Sequence, residues 1–463
     1  MANSEYGRGT RSVTASGSLK KRRAAASKTT ERSTVSANTK KPVRRTSGKS
    51  VPAAPPTHAD KSKTAARTGR TQTKKRSSER SSAEGKSRAK VRKPLKEQNG
   101  KIGELDYTLL FLIILIVALG LIVMLSASAP TGKSIHNNSY YFFKRQLLFI
   151  VMGFVGMYVI SRIDLERYQY LIPHAFWACV LLLILVLIPG IGVKVNGARR
   201  WLNIPFIQFQ PSELMKPVIA MYIADLIRRG HIDLHKLKDN FKCMVYIGIV
   251  AFLLMCETHL SGTIVIVGIA ICVMLAGGTP VKSIIVAGAA LGLMVFVYLQ
   301  FDPTRMERVK SLIDPFADAQ DSGYQISQSI YAIGSGRLFG LGLGQSVQKY
   351  SHLPEPYNDF IFAIVCEELG FVGGVVVILL FAALFLRAMT VAVKAPDTWS
   401  TLTCIGIASQ LGIQAVLNMG VAVSIIPNTG VSLPFFSYGG TSILILLLEM
   451  GILLNISRKS IKN

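Results

Sequence analysis

The chain has 463 residues, of which 50% are hydrophobic, with a mean hydropathy of +0.37 and a formal net charge of +27. No single soluble domain combines those values, and the conflict disappears once the chain is divided. Residues 1–101 hold 28 Lys and Arg against 6 Asp and Glu, so +22 of the charge sits there, and the rest keeps +5 and nearly all the large apolar side chains. The six cysteines, Cys179, Cys243, Cys256, Cys272, Cys366 and Cys404, lie in or beside apolar runs without metal-ligand spacing. That pattern excludes a disulfide scaffold or zinc module and predicts small buried hydrophobes.

Residues 1–101 are rich in Ser, Thr, Ala, Lys and Arg and contain one aromatic, Tyr6. Such a composition cannot bury enough apolar surface to offset chain entropy, which predicts a disordered basic tail. It lacks the apolar core of a signal peptide. Blocks such as Lys20-Lys21-Arg22-Arg23 and Lys74-Lys75-Arg76 predict attraction to an anionic membrane surface, with nucleic acid the less favoured partner.

Residues 102–463 read as one all-α polytopic membrane domain. Tyr107–Leu125 carries no charge and is long enough to cross a bilayer, which takes about 20 apolar residues. Further spans are expected at 146–161, 171–189, 213–227, 243–257, 261–278, 281–300, 360–386, 400–426 and 435–456, about ten in all. The basic tail pins the N-terminus to the cytoplasm, and an even span count returns Arg458, Lys459 and Lys462 to the same side. The expected outward loops are 130–145, 190–212, 257–260, 301–359 and 427–434.

Those loops retain eleven cations, among them Arg199, Arg200 and Lys349. They either hold an anionic ligand such as a phosphate or pair with loop acids such as Asp314, Asp318, Asp321 and Glu355. Loop 301–359 is too long for a plain connector and holds glycines at 334, 336, 340, 342 and 344, so a structured, functional loop is expected. Within the spans, Glu213 and Lys216 are three residues apart on one helical face, where they either serve a site or pair with each other. Glu257 and the Glu367/Glu368 pair sit near helix ends, His259 is expected in a helix-terminal or core role, and Trp201 as an interfacial anchor. No metal cluster, nucleotide-binding glycine motif or Ser/His/Asp signature is present, which leaves carboxylates and cations at one membrane face, a combination suited to acid/base chemistry on a phosphate-bearing substrate.

Several long motifs in order resemble the SEDS family (shape, elongation, division and sporulation). They are Gly197-Ala-Arg-Arg-Trp-Leu-Asn203, Phe209-Gln-Pro-Ser-Glu-Leu-Met-Lys216, Gly323-Tyr-Gln-Ile-Ser-Gln-Ser329, Leu353-Pro-Glu355 running into Asp359-Phe-Ile-Phe-Ala363, and Leu433-Pro-Phe-Phe-Ser-Tyr-Gly-Gly-Thr-Ser442. Glu257-Thr-His-Leu-Ser-Gly-Thr263 fits more loosely, because the family commonly has Pro at the position of Thr258. The resemblance spans about Asp106 to Arg458, and Met124–Ser128 and Tyr141–Gln146 look more like the division branch than the elongation branch.

The resemblance implies a peptidoglycan glycosyltransferase that polymerises lipid II at the outer face of the cytoplasmic membrane, with a class B penicillin-binding protein as transpeptidase partner and other division proteins nearby. It puts the catalytic aspartate at Asp318, in Asp314-Pro-Phe-Ala-Asp318 ahead of Gly323-Tyr324, with Asp314 and Asp321 as the neighbouring carboxylates. Arg199, Arg200, Lys216 and Lys349, with Glu213, are the expected substrate-binding set for a lipid diphosphate, and a divalent cation (Mg or Mn) could assist; no organic cofactor is implied. The competing readings are a transporter that flips the same lipid and a scaffold of the division machinery. The absence of an internal repeat, and charges gathered toward one face, favour the enzyme.

Overall fold

The computed structural model describes residues 105–195, 198–204, 207–300, 312, 314, 316, 323–350 and 352–460. The expectations for the basic tail, Asp318 and Asp321 fall outside the described residues.

Eleven helices and one small sheet are described, in the order α1 (Tyr107–His136), α2 (Tyr141–Ile160), α3 (Leu165–Leu187), β1 (Gly192–Val195), β2 (Ala198–Ile204), β3 (Ile207–Phe209), α4 (Pro211–Arg228), α5 (Leu237–Cys256), α6 (Leu260–Ala276), α7 (Val281–Gln300), α8 (Tyr324–Ser335), α9 (Ile361–Val393), α10 (Thr398–Ala422) and α11 (Gly440–Arg458). Seven of them, α1, α2, α3, α5, α9, α10 and α11, are long and apolar enough to cross a membrane. With α4, α6 and α7 between them, these make the ten helices expected, and α8, with 12 residues, is too short to cross. Large apolar side chains such as Phe111, Leu148, Trp177, Phe252, Leu379 and Leu386 are exposed on the bundle, a surface that suits lipid and not water.

The central helix is α4. It carries Glu213, Lys216, Asp225 and Arg228, yet nearly all its residues are buried, and of these four charges only Arg228, in the last turn, is exposed. At α4's C-terminal end Asp225 pairs with Arg228 and Arg229 at 3.0 and 2.7 Å. Arg387 of α9 grips Asp106, the N-cap of α1, with three bonds of 2.8–3.1 Å, and Arg458 donates to the Ser161 carbonyl. These contacts tie one end of the bundle. The other end carries the sheet.

The fold is mostly helical as expected, and a small sheet is added to it. β1, β2 and β3 form an antiparallel meander between α3 and α4, with Val193 opposite Trp201 and Leu202 opposite Phe209. The alternating Val193-Lys194-Val195, followed by the turn-favouring dipeptide Asn196-Gly197, is the sequence signal for it. The loop boundaries shift too: α1 runs through Pro130 to His136, about 45 Å of helix, where a loop from 130 is expected. Loop 301–359 is interrupted by α8. Of the cysteines, Cys179, Cys243, Cys366 and Cys404 are buried as expected, whereas Cys256 is exposed and Cys272 half-buried on the outward helix faces. An apolar thiol is as acceptable toward lipid as toward core.

The glycine cluster after α8 has a definite task. Gly370 breaks α9 with φ 71°, freeing the carbonyls of Glu367 and Glu368. They accept from Leu341 and Gly342 N–H at 3.0 Å each, while Phe371 and Val372 N–H reach the carbonyls of Arg337 and Leu338. Gly340, at φ 82°, passes so close that a side chain there would meet the Glu368 carbonyl. The loop thus completes the broken helix and leaves its backbone groups satisfied inside the bundle.

Candidate functional site

The sequence Gln210-Pro211-Ser212-Glu213 starts α4 with a proline in the first turn, where its missing N–H costs nothing, and an acidic residue at the positive end of the helix dipole. One turn further in, the Lys216 ammonium lies 2.6 Å from Glu213 Oε1. The two side chains are 3% and 11% exposed, so this pair is desolvated and strongly directional. Ser442, in the first turn of α11, donates to Glu213 Oε2 at 2.7 Å. Thr441 beside it donates to the Gln208 carbonyl of β3, so the sheet, α4 and α11 meet around the pair.

Strand periodicity places Ala198, Arg200 and Leu202 on one face of β2. Ala198 and Leu202 are buried, and Arg200 follows them inward to donate to the Thr258 carbonyl at 2.6 Å, joining the sheet to the turn between α5 and α6. In that turn burial pushes the Glu257 carboxyl up to about 8, against the opposing pull of the Arg200 guanidinium. Neither of its oxygens accepts a hydrogen bond. Thr258 has φ 57°, which a proline ring cannot adopt, so this turn departs from the Pro-containing form common in the family. His259 is buried, in line with its expected core role. Arg199 reaches back to the Leu187 carbonyl at 3.5 Å.

Lys349 belongs to a second cluster. Its ammonium is 2.8 Å from Glu368 Oε1 and 3.0 Å from Ser126 Oγ, with 3% and 1% side-chain exposure for the ion pair. Glu367 accepts from Ser346 Oγ at 2.5 Å and from the N–H groups of Val347 and Gln348 at 2.9 and 3.3 Å. These bonds staple residues 346–349 to α9 and α1. Lys349 also lines a cavity of about 1110 Å³ with Ser126, Lys133, Tyr140, Tyr350 and Tyr357. Burial raises the Tyr357 phenol above its ordinary value, with Glu355 adding to the effect.

The expected residues therefore fall into a Glu213–Lys216 pair, the Arg199 and Arg200 strand beside it, and a separate Lys349 cluster. Asp314 is described, with Oδ1 accepting from Phe316 N–H at 3.0 Å. Downstream, α8 is docked at the sheet-bearing end: Ser329 donates to the Ala422 carbonyl at the end of α10, and Asn428 to Gln325 at 2.6 Å. Sequence reasoning missed Ser442 and Ser126 as partners, although Ser442 closes a motif it had singled out. It also missed Glu449, buried in α11 with Oε1 accepting from Gln410 of α10 at 3.0 Å. Among the described residues no three His, Cys, Asp or Glu side chains cluster to hold a metal.

The cell cycle protein family model for FtsW, RodA and SpoVE matches residues 107–462. Stage V sporulation protein E of Bacillus subtilis is 40% identical over 357 residues, which cover 77% of this chain and 97% of that protein. The probable peptidoglycan glycosyltransferase FtsW of Trichlorobacter lovleyi is 38% identical over 370 residues, covering 79% and 95%. Among solved structures, a chain of a peptidoglycan synthase complex that coordinates polymerization and crosslinking is 29% identical with a TM-score of 0.66, covering 77% of this chain and 98% of that one. The rod shape determining protein RodA of Thermus thermophilus is 28% identical with a TM-score of 0.59, covering 78% and 98%. A sheet-capped bundle with a buried ion pair at the head of its central helix, matched along its length in sequence and in fold, belongs to the SEDS family of FtsW, RodA and SpoVE.

Proposed function

We propose that the protein is a peptidoglycan glycosyltransferase that polymerises lipid II into glycan strands at the outer face of the cytoplasmic membrane, serving septal wall synthesis, with both termini in the cytoplasm. The observation that carries this reading is the desolvated Glu213–Lys216 pair at the end of the bundle whose sheet carries Arg199 and Arg200. A buried ion pair is a costly arrangement for stability alone, and its cation is a useful one for a diphosphate.

In the proposed reaction the acceptor sugar hydroxyl is too weak a nucleophile at neutral pH and needs a positioned base. The Asp318 carboxylate takes its proton as the hydroxyl oxygen bonds to the anomeric carbon of the donor. The bond from that carbon to the lipid diphosphate breaks, and the diphosphate leaves with the bonding pair. One displacement turns an α-linked donor into a β-linked glycan, so no second catalytic carboxylate is required. Arg199, Arg200 and Lys216 neutralise the charge growing on the leaving group, and Glu213 holds Lys216 in place. Asp318 lies five residues ahead of Gly323, at most about 17 Å of extended chain from the docked α8, which supports its reaching this end of the bundle. Lys349, on the wall of a separate cavity, is the remaining cation of this set. A divalent cation, Mg or Mn, would screen the diphosphate oxygens; the described residues form no cage for it, and no step is routed through it. The transpeptidase partner is a class B penicillin-binding protein, consistent with the synthase complex that the fold matches.

The test is polymerisation of labelled lipid II by purified protein with its partner. Asp318→Asn is expected to abolish polymer while leaving the protein folded. Full polymer from the variant would remove Asp318 as base, and lipid II crossing liposomes without polymer from either protein would favour a transporter.

A further inference from the structure

The cavity of about 1110 Å³ beside Lys349 is separate from the Glu213–Lys216 pair, and the chemistry above gives it no occupant. Its polarity is graded along the helix that forms its wall. Ile122, Ser126, Ala129 and Lys133 of α1 line it at spacings of four, three and four residues, which puts them on one helical face. Counted from Tyr107, about 20 residues of helix cross the hydrocarbon, so its outer boundary falls near Ala127. Ile122 and Leu125 therefore lie at lipid depth, while Thr131, Lys133 and Ser134 stand in the headgroup layer or beyond it. Ile122 and Leu343 are both exposed, which leaves the apolar end open to lipid. An apolar foot under a polar head is the outline of a membrane amphiphile.

The lining also describes the head of that amphiphile. Tyr140, Tyr350 and Tyr357 all border the cavity, and aromatic faces suit sugar rings, whereas a phospholipid headgroup offers no ring to stack. Hydroxyls from Ser126, Ser134 and Ser139 add groups that both donate and accept. Lys349 brings a hydrogen-bond donor with its charge already balanced. Its ammonium gives protons to Glu368 Oε1 at 2.8 Å and Ser126 Oγ at 3.0 Å, which leaves the third for a ligand. Lys133 on one wall is offset by Glu355 on another.

A short strap joins this cavity to the ion pair. Tyr438 N–H donates to the Tyr357 carbonyl at 2.9 Å. Phe142 holds the junction, stacked on Tyr357 with centroids 4.9 Å apart and meeting Tyr438 edge-on at 5.0 Å. Four residues further on, Ser442 donates to Glu213 at 2.7 Å. At most about 14 Å of extended chain runs between those two anchor points.

We propose that this cavity seats a second lipid-linked saccharide, the acceptor, whose sugar hydroxyl attacks the donor held at Glu213 and Lys216. The inference rests on the reading of that pair as the seat of the donor diphosphate. The acceptor oxygen bonds to the anomeric carbon and gives its proton to Asp318, while the donor's bond to its diphosphate breaks. The acceptor keeps its own diphosphate throughout. No charge grows on it, so a cavity whose lysine is already neutralised serves it, whereas the donor end needs cations.

The number of lipid II molecules held by the full-length Asp318→Asn protein in detergent, counted by native mass spectrometry, tests this without turnover. Two are expected, falling to one with Tyr350→Ala and returning to two with Tyr350→Phe, which keeps the ring. Tyr350 is exposed, so neither change threatens the fold. Excess phosphatidylglycerol is expected to leave both copies in place; loss of the Tyr350-dependent copy to it would make the occupant an ordinary phospholipid and overturn the saccharide. An unchanged count with Tyr350→Ala overturns the cavity itself. In a protein that keeps Asp318, with its partner, Tyr350→Ala is expected to raise the lipid II concentration for half-maximal polymerisation about ten-fold, the scale of one lost ring contact. Wild-type polymerisation by Lys216→Met removes the donor reading instead, and the Tyr350-dependent copy still reports on the cavity.

Discussion

At the scale of single residues, the site is built from charges that water does not reach, and Glu257 shows the consequence. Its carboxyl is buried in the α5–α6 turn and accepts no hydrogen bond, so the neutral form is favoured and the group titrates at about 8 instead of the usual 4.5. Below 4.5 the folded and unfolded chains both hold the proton. As pH rises from 4.5 to about 8 the unfolded chain releases it first, so this residue's contribution to stability declines across that window and is gone above it. Glu257→Gln has no proton to lose. Its melting temperature is expected to fall less than that of the wild type between pH 5 and 9, roughly the window set by linkage. Parallel melting curves would show that Glu257 is already ionised in the fold. The same desolvation makes Arg200 a poor site for conservative exchange. Its guanidinium donates to the Thr258 carbonyl from an inward strand position, and Arg200→Lys is expected to cut polymerisation by about ten-fold or more, since an ammonium lacks the planar fork.

At the scale of elements, the loop that completes α9 is the feature with the sharpest mutational signature. Gly370 has φ 71°, and a β-carbon there would collide with the Gly340 N–H and the Leu338 carbonyl, both backbone atoms that cannot move aside. Gly370→Ala therefore pays for both strain and clash, and a loss of about 2 kcal/mol or more is expected from denaturant or thermal unfolding. Ser346→Ala removes one of three donors to the buried Glu367 and is expected to cost about 1–3 kcal/mol, the range for a buried acceptor losing a charge-assisted bond. If both variants unfold like wild type, the loop is an ornament on α9 and not part of it. The sequence makes part of this visible. The glycines at 340, 342 and 344 announce close backbone approach, but their target, the carbonyls freed by Gly370 some thirty residues later, depends on tertiary geometry. Lys349 was legible as a retained cation, whereas its partner Glu368 was not, because pairing across 19 residues leaves no periodic trace. The sheet was missed for another reason. Its strands are short and lie between apolar helices, and the seven residues of β2 show no polar–apolar alternation to set them apart.

At the scale of the whole molecule, the bundle was the most legible part, because lipid tolerates only continuous hydrogen-bonded helix and so forces long apolar runs into the sequence. The exception is α4, which buries Glu213, Lys216 and Asp225 and so weakens the apolar run expected at 213–227. The basic segment 1–101 lies outside the family match, which begins at residue 107. Its charge of +22 is too diffuse for a catalytic site and well suited to an anionic leaflet, where each Lys or Arg near the surface contributes about 1 kcal/mol at moderate ionic strength. Deleting residues 1–95 is therefore expected to leave lipid II polymerisation unchanged in neutral detergent, where there is no charged surface to meet. Binding of the isolated tail peptide to vesicles containing anionic lipid should be strong at low salt and fade as ionic strength rises and the Debye length falls below about 10 Å. Equal binding to neutral and anionic vesicles would rule out the electrostatic role, and a collapse of polymerisation on deletion would mean that the tail reaches the catalytic domain and acts there.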